Sequence, residues 1–279
     1  MLNLALNFST VSTISYLVPH DFTAVADAAT RHAIQIARQT KGVVHLLHVT
    51  KSDSEKSAAS VKFAEIVAKL QLGPLDPKVE THIKTGSIFT DIGTMAKELK
   101  SALVVMGTHG AKGMQKVFGS FAIKVITSCE APFLIVQEST PVDAIKKIVA
   151  PIKLDSESLQ VLNDAGSIAL IFDAEILVAA PKELDKVLAN KIRIYLDVIV
   201  KQFTKRSVKH SIHFVEKSKN PHQVNLDFGK KMGADMYAIA YFSDSLLPQF
   251  DTFAQSMITN EQKVPVLIIN AKESGNAYF

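Results

Sequence analysis

The stretch Val104-Val105-Met106-Gly107-Thr108-His109-Gly110-Ala111-Lys112-Gly113, running on to Phe118-Gly119-Ser120-Phe121, decides the reading of this chain. An apolar run ends in a glycine-rich loop, and a helix is expected to begin at Ser120. Glycine admits positive φ and lets a ligand approach the backbone closely. Backbone N–H groups at a helix N-terminus attract anions, phosphate above all. Ser120 suits either the cap of that helix or a donor to a phosphate oxygen. The loop is not a Walker A motif, because no Gly-Lys-Ser/Thr stands at the required spacing. Glycines after a strand also serve as plain turn-formers, so composition alone leaves phosphate binding and a simple turn equally open.

Outward from that loop, short β-branched runs alternate with longer helical stretches. Strands are expected over 14–19, 43–49, 79–84, 103–107 and 133–136. Helices are expected over 23–40, 55–71, 88–100 and 120–128. The first helix shows Ala26, Ala29, Ala33, Ile36 and Ala37 at helical spacing, and Gly42 stands where a glycine past a C-cap would stop it. The order then returns. Ile148-Val149-Ala150-Pro151 resembles Tyr16-Leu17-Val18-Pro19, and Val264-Pro265-Val266-Leu267-Ile268-Ile269 echoes Ala131-Pro132-Phe133-Leu134-Ile135-Val136. Between them lie strands expected over 176–179, 208–215 and 236–241, with helices over 183–205 and 221–232. This is an internal repeat of domain size. It divides the chain into 1–140 and 141–279, with a short linker near Glu138 to Ala144. Alternating strands and helices imply an α/β fold with parallel sheets covered by helices on both faces. Ligands of such sheets sit at the carboxyl ends of the strands, where the strand order switches. That directs attention to Pro19-His20-Asp21, Val49-Thr50 and Gly107 onward.

Composition narrows the function classes. The 279 residues are 47% apolar and 21% charged, a core-forming balance. A single cysteine excludes an intramolecular disulfide framework and a Cys-based zinc site. Cys129 reads as a small packing residue rather than a nucleophile. The net charge of +4 is scattered, so no basic face points to nucleic acid. No apolar run reaches a membrane span, and Met1 to Thr13 lacks the pattern of a signal peptide. The cytoplasm is therefore the expected compartment. His45 and His48 are three apart, as are His210 and His213, but residues three apart in a strand face opposite sides. Neither pair is expected to share a metal. No Gly-x-Ser-x-Gly elbow, no His-Glu-x-x-His and no evident carboxylate pair occurs, so no catalytic residue is assigned and the chain is not expected to be an enzyme.

The loop resembles the nucleotide loop of the universal stress protein family, whose pattern is Gly, two residues, Gly, nine residues, then Gly-Ser/Thr. The likeness extends to Leu17-Val18-Pro19-His20-Asp21-Phe22-Thr23, to Leu46-Leu47-His48-Val49, to Lys84-Thr85-Gly86-Ser87 and to Ala131-Pro132-Phe133-Leu134-Ile135-Val136. It spans about 14–137, and 145–270 more weakly. The resemblance implies two tandem Rossmann-like domains of the adenine nucleotide alpha hydrolase-like kind, each a five-stranded parallel sheet. One departure stands out: eight residues, not nine, separate Gly110 from Gly119.

Carried onto this sequence, the resemblance implies that Asp21 and Val49 border adenine and ribose, with Pro19 shaping that wall. Met106 and Gly107 would sit beside the nucleoside, and Gly110, Gly119, Ser120 and Phe121 would meet the phosphates. The ligand implied is ATP or a related adenine nucleotide, with Mg²⁺ as an option. Bland readings stand beside these: Val49 and Met106 as core, and Asp21 as the N-cap of the first helix. The second half lacks the set. Aligning Pro151 with Pro19 puts Lys153 at the position of Asp21, and Phe242-Ser243-Asp244-Ser245 has no glycine. The expected partners are the nucleotide and the other half of the chain, paired through the last strand of each sheet, with a homodimer left open. The expected function is a nucleotide-dependent regulatory or interaction module. The rivals are a scaffold that binds no nucleotide and, further off, an ATP-using enzyme.

Overall fold

The computed structural model describes residues 13–108, 125–126, 128–152, 156–242 and 252–271. The first half contains β1 (Ser15–Pro19), α1 (Ala24–Thr40), β2 (Val43–Thr50), α2 (Lys56–Lys69), β3 (Val79–Thr85), α3 (Ile88–Glu98), β4 (Leu103–Thr108) and β5 (Phe133–Gln137). The second contains β6 (Lys147–Pro151), α4 (Ser156–Phe172), β7 (Glu175–Pro181), α5 (Lys186–Lys205), β8 (His210–Val215), α6 (Pro221–Met232), β9 (Met236–Phe242), α7 (Thr252–Ile258) and β10 (Val266–Ala271).

Among the described residues these strands form one ten-stranded sheet, in the order β3-β2-β1-β4-β5-β10-β9-β6-β7-β8. Each half contributes five strands that pair in parallel, as the repeat predicts. The two sets meet antiparallel at β5 and β10, with Leu134 opposite Leu267 and Phe133 opposite Ile268. The larger sheet arises because each last strand would otherwise leave an apolar edge unpaired. All of Phe133, Leu134, Ile135, Val266, Leu267 and Ile268 are buried. Full burial of such a side chain is worth about 1.5–3 kcal/mol, so the seam is a core and not a loose contact.

Helices cover both faces, and alternate strand residues feed two cores. Tyr16, Val18, Val44 and Leu46 point toward α1 and α2, with α4 and α5 continuing that layer. Leu17, Leu47, Val104 and Phe133 point toward α3, with α6 and α7 continuing the other. Side chains tie the halves together as well. Gln39 on α1 donates to the carbonyl oxygens of Ile145 and Phe172, at 3.2 and 2.5 Å. Buried Gln137 donates to the carbonyls of Ile258 and Asn260, at 3.2 and 2.8 Å.

Two local expectations are corrected. Gly42 does not supply the left-handed residue that ends α1; Lys41 does, at φ 57°. Gly42 is needed for space instead, since a Cβ there would lie 2.5 Å from the Tyr16 ring and 2.8 Å from the Ile14 carbonyl oxygen. The helix α4 was not anticipated between the strands at 148–151 and 176–179. Its buried residues Val161, Leu162, Ala165, Ile168, Ala169 and Phe172 nevertheless follow helical spacing. The helix expected over 120–128 lies mostly outside the described residues, with Val125 and Ile126 helical.

Candidate nucleotide pocket

The strand order reverses beside β1, which has β2 on one side and β4 on the other. This is the place where parallel sheets open a crevice at their carboxyl ends. A cavity of about 240 Å³ lies there, lined by residues that follow or end β1, β2 and β4 and by the first turn of α1. Pro19, Asp21, Val49, Met106 and Gly107 all line it. Five of the nine residues singled out in the sequence are thus brought to one cavity. Gly110, Gly119, Ser120 and Phe121 lie outside the described residues, as does Lys153.

The turn from β1 to α1 builds one wall. Thr23 is the N-cap of α1, with extended backbone, and its hydroxyl oxygen accepts from the Ala26 N–H. Asp21 is therefore not the cap. Its Oδ1 accepts from the Thr23 N–H at 3.1 Å and from the Thr23 hydroxyl at 2.6 Å. The carboxylate braces the capping residue with one oxygen, while Oδ2 has no partner among the described residues. Phe22 between them adopts φ 66°, an unusual conformation for a bulky residue and one that surrounding structure must hold. The hold is visible: the Phe22 ring sits 4.3 Å from His48 and 5.1 Å from Phe63, with the Lys62 ammonium 5.0 Å from its centroid.

Behind that wall lies His20, buried and 3% exposed. Its Nδ1 accepts from the Phe22 N–H at 3.1 Å, which places the ring proton on Nε2. Nε2 stands 3.3 Å from Asp27 Oδ1, but without hydrogen-bond alignment, so the attraction is electrostatic. Burial lowers the His20 pKa below the usual histidine range, and the Asp27 and Asp21 carboxylates oppose that shift in part. His48 Nδ1 donates to the His20 carbonyl oxygen at 2.7 Å. His48, Ile88, Ile92 and Val125 line the cavity but were not picked out as site residues. The signal for His48 was its parity: it faces the side opposite to His45 and falls at the strand end.

Gly107 has a reason to be glycine that needs no ligand. A Cβ there would collide with the Val25 side chain and the Val25 carbonyl oxygen. Its absence lets the first turn of α1 lie against the end of β4, so the partial positive charge of that helix end sits at the cavity. The Gly86 turn is similar in kind: Asp91 Oδ2 occupies the place of a Cβ and accepts from the Ser87 N–H at 2.7 Å. Ser87 caps α3, which carries Ile88 into the cavity. Cys129 is buried, and burial pushes its thiol pKa up, the reverse of what a nucleophile needs. Among the described residues, no helix is long and apolar enough to cross a membrane.

The model of the universal stress protein family matches residues 16–137. Universal stress protein G of Salmonella typhimurium is 31% identical over 128 residues, covering 40% of this chain and 89% of that protein. The chain belongs to the universal stress protein family. Universal stress protein G of Shigella flexneri is 30% identical over the same length, with the same coverage. A universal stress protein from Archaeoglobus fulgidus has a similar fold over nearly the whole chain. Its TM-score is 0.72 at 15% identity, over 92% of this chain and 98% of that one. The family model matches within the first half, whereas the structural likeness extends over both. The Rossmann-like architecture therefore runs through the second half as well.

Proposed function

We propose that the first half of this universal stress protein binds ATP or a related adenine nucleotide in the cavity between β1 and β4. Binding would act as a regulatory switch for partner interactions, without enzymatic turnover. One observation supports this above the others: Pro19, Asp21, Val49, Met106 and Gly107, chosen from separate sequence segments, line a single cavity at the strand-order switch. Asp21 Oδ2 supplies an acceptor for a ribose hydroxyl, and Val49 and Met106 supply apolar walls for a base. The glycine segment that follows β4 would meet the phosphates through backbone N–H groups. The second half keeps the proline as Pro151 but departs at the acid and the glycines, with Lys153 for Asp21 and no glycine in 242–245. The reading is therefore one nucleotide per chain.

Isothermal titration of the full chain with ATP, with and without Mg²⁺, tests it. The expected stoichiometry is near one. Asp21→Ala should weaken binding about tenfold, or about 1.4 kcal/mol, whereas Lys153→Ala should leave it unchanged. Gly119→Val should abolish binding, because its side chain would fill space the phosphates need. Two equivalent sites, or loss with Lys153→Ala alone, would refute the assignment to the first half. No binding at all would favour the scaffold reading, which the eight-residue spacing from Gly110 to Gly119 keeps open. Among the described residues none is placed to orient an attacking water, and turnover at roughly 1 per second or faster would overturn the non-enzymatic reading.

A further inference from the structure

His45 has a partner set that its spacing from His48 does not reveal. On β2 it pairs with Glu80 of β3, and Leu47, two residues on, pairs with His82. Residues two apart in a strand share a face, so His45, Glu80 and His82 stand together on the α3 side of the sheet. Their donor atoms converge. His45 Nδ1 lies 3.0 Å from His82 Nε2 and 3.4 Å from Glu80 Oε2, and His82 Nε2 lies 4.0 Å from that same oxygen. Among the described residues this is the one group of His, Cys, Asp or Glu donors close enough to hold a metal ion. We propose that His45, Glu80 and His82 bind a first-row divalent cation, with Zn²⁺ the best match.

The geometry supports the choice. Tetrahedral zinc with ligands at about 2.0–2.2 Å has neighbouring donors about 3.3–3.5 Å apart. The three separations here bracket that value, so shifts of a few tenths of an ångström would complete one face of a tetrahedron. Two imidazoles and a carboxylate form a donor set suited to zinc and to similar borderline cations, not to Mg²⁺ or Ca²⁺. The fourth position would be water, since Glu80 and His82 are only half-buried while the His45 side chain is 7% exposed.

The protonation states agree with this arrangement. Burial pushes both His45 and His82 down, which favours neutral imidazoles. The Lys78 ammonium, 2.5 Å from Glu80 Oε1, holds that carboxyl below the usual range. Lys78 engages Oε1 and leaves Oε2 to face the rings. The two facing imidazole nitrogens share one proton in the metal-free pair. Cation binding would move it to the far nitrogen of its own ring, so neither ring would have to lose its proton to solvent. The repeat supplies an internal comparison. Register places Leu177, Ser211 and His213 where the first half has His45, Glu80 and His82. The second half keeps one ligand of three, and His213 there bonds to the Ser211 hydroxyl at 2.9 Å.

The test is a zinc titration of untagged, chelator-stripped full-length protein, in competition with a chromophoric chelator and with no nucleotide present. One Zn²⁺ per chain is expected, with a rise in the thermal midpoint. His82→Asn and Glu80→Gln, both at partly exposed positions, should each weaken binding at least about tenfold and abolish the midpoint rise. His213→Asn should do neither. Circular dichroism of the zinc-free variants separates ligand loss from misfolding, and Glu80→Gln keeps the side-chain shape if the histidine variant folds poorly. Absence of a stoichiometric site at roughly 100 μM Zn²⁺, or a site unaffected by both variants, would overturn the proposal.

Discussion

Acid should weaken this fold through His32, and the size of the effect can be worked from its surroundings. His32 sits on α1 with only 4% of its surface exposed. Its Nε2 donates to the Thr140 carbonyl oxygen at 3.3 Å, in the linker between the halves. Burial pushes its pKa from 6.5 down to about 4; the Thr140 carbonyl opposes that shift, nearby Arg31 adds to it and Asp143 opposes it. A depressed histidine pKa means the folded chain holds this ring neutral, while the unfolded chain accepts a proton near pH 6.5. Below that value the unfolded state binds more protons, so stability falls as pH falls until the folded pKa is reached. Between pH 7 and pH 4.5 the loss from this one group is roughly 2 kcal/mol, at 1.36 kcal/mol per pKa unit. His32→Gln can still donate to Thr140 but cannot titrate. Urea melts of both proteins at the two pH values give a double difference in which the carboxylates and other histidines largely cancel. The variant should lose about 2 kcal/mol less than the parent on acidification. An equal loss in both would refute the assignment of a buried neutral His32.

Two further perturbations probe the close approaches described above. Gly107→Ala would drive a methyl group into Val25 and should cost about 1–3 kcal/mol by overpacking. Denaturant melts without nucleotide measure this, and an unchanged midpoint would show that the α1–β4 approach is not tight. Gln137→Leu would leave the carbonyls of Ile258 and Asn260 without their buried donor, at a cost of about 1–3 kcal/mol. The same melts should show that loss, and a neutral result would mean that water reaches the seam.

Much of the architecture was legible because a parallel α/β repeat writes itself in alternating strand and helix runs. Tyr16-Leu17-Val18-Pro19 and Ile148-Val149-Ala150-Pro151 announce the first strand of each half, and both fall in β1 and β6. The alternation of runs does not mark α4 although its periodicity is good, because a short apolar run such as Ile168 to Phe172 is common to buried strands and buried helices. Propensity points to Gly42 for the left-handed residue that Lys41 supplies, while the steric demand of Tyr16 on Gly42 exists only once β1 is in place. Strand ends, which sequence does mark, point to Pro19, Asp21, Val49 and Gly107, and the family resemblance adds Met106 and the roles of all five. The convergence of His45 with His82 is not marked, since it depends on the register of β2 against β3 and lies 37 residues apart in the chain.

The antiparallel seam also fixes what the two halves can say to each other. Strands within each half run the same way, but the sets run in opposite directions across β5 and β10. The carboxyl rims of the halves therefore open toward opposite poles of the molecule. A ligand seated beside Asp21 cannot touch anything docked at the corresponding rim beyond Pro151. A message between those poles has to cross the seam, through the packed pairs Leu134–Leu267 and Phe133–Ile268, the Gln137 bridge to the end of α7, or the Gln39 bonds to Ile145 and Phe172. Such a seam transmits small rigid shifts well and local unfolding poorly. A partner that senses the occupied pole from the far one would have to read a tilt, not a newly ordered loop.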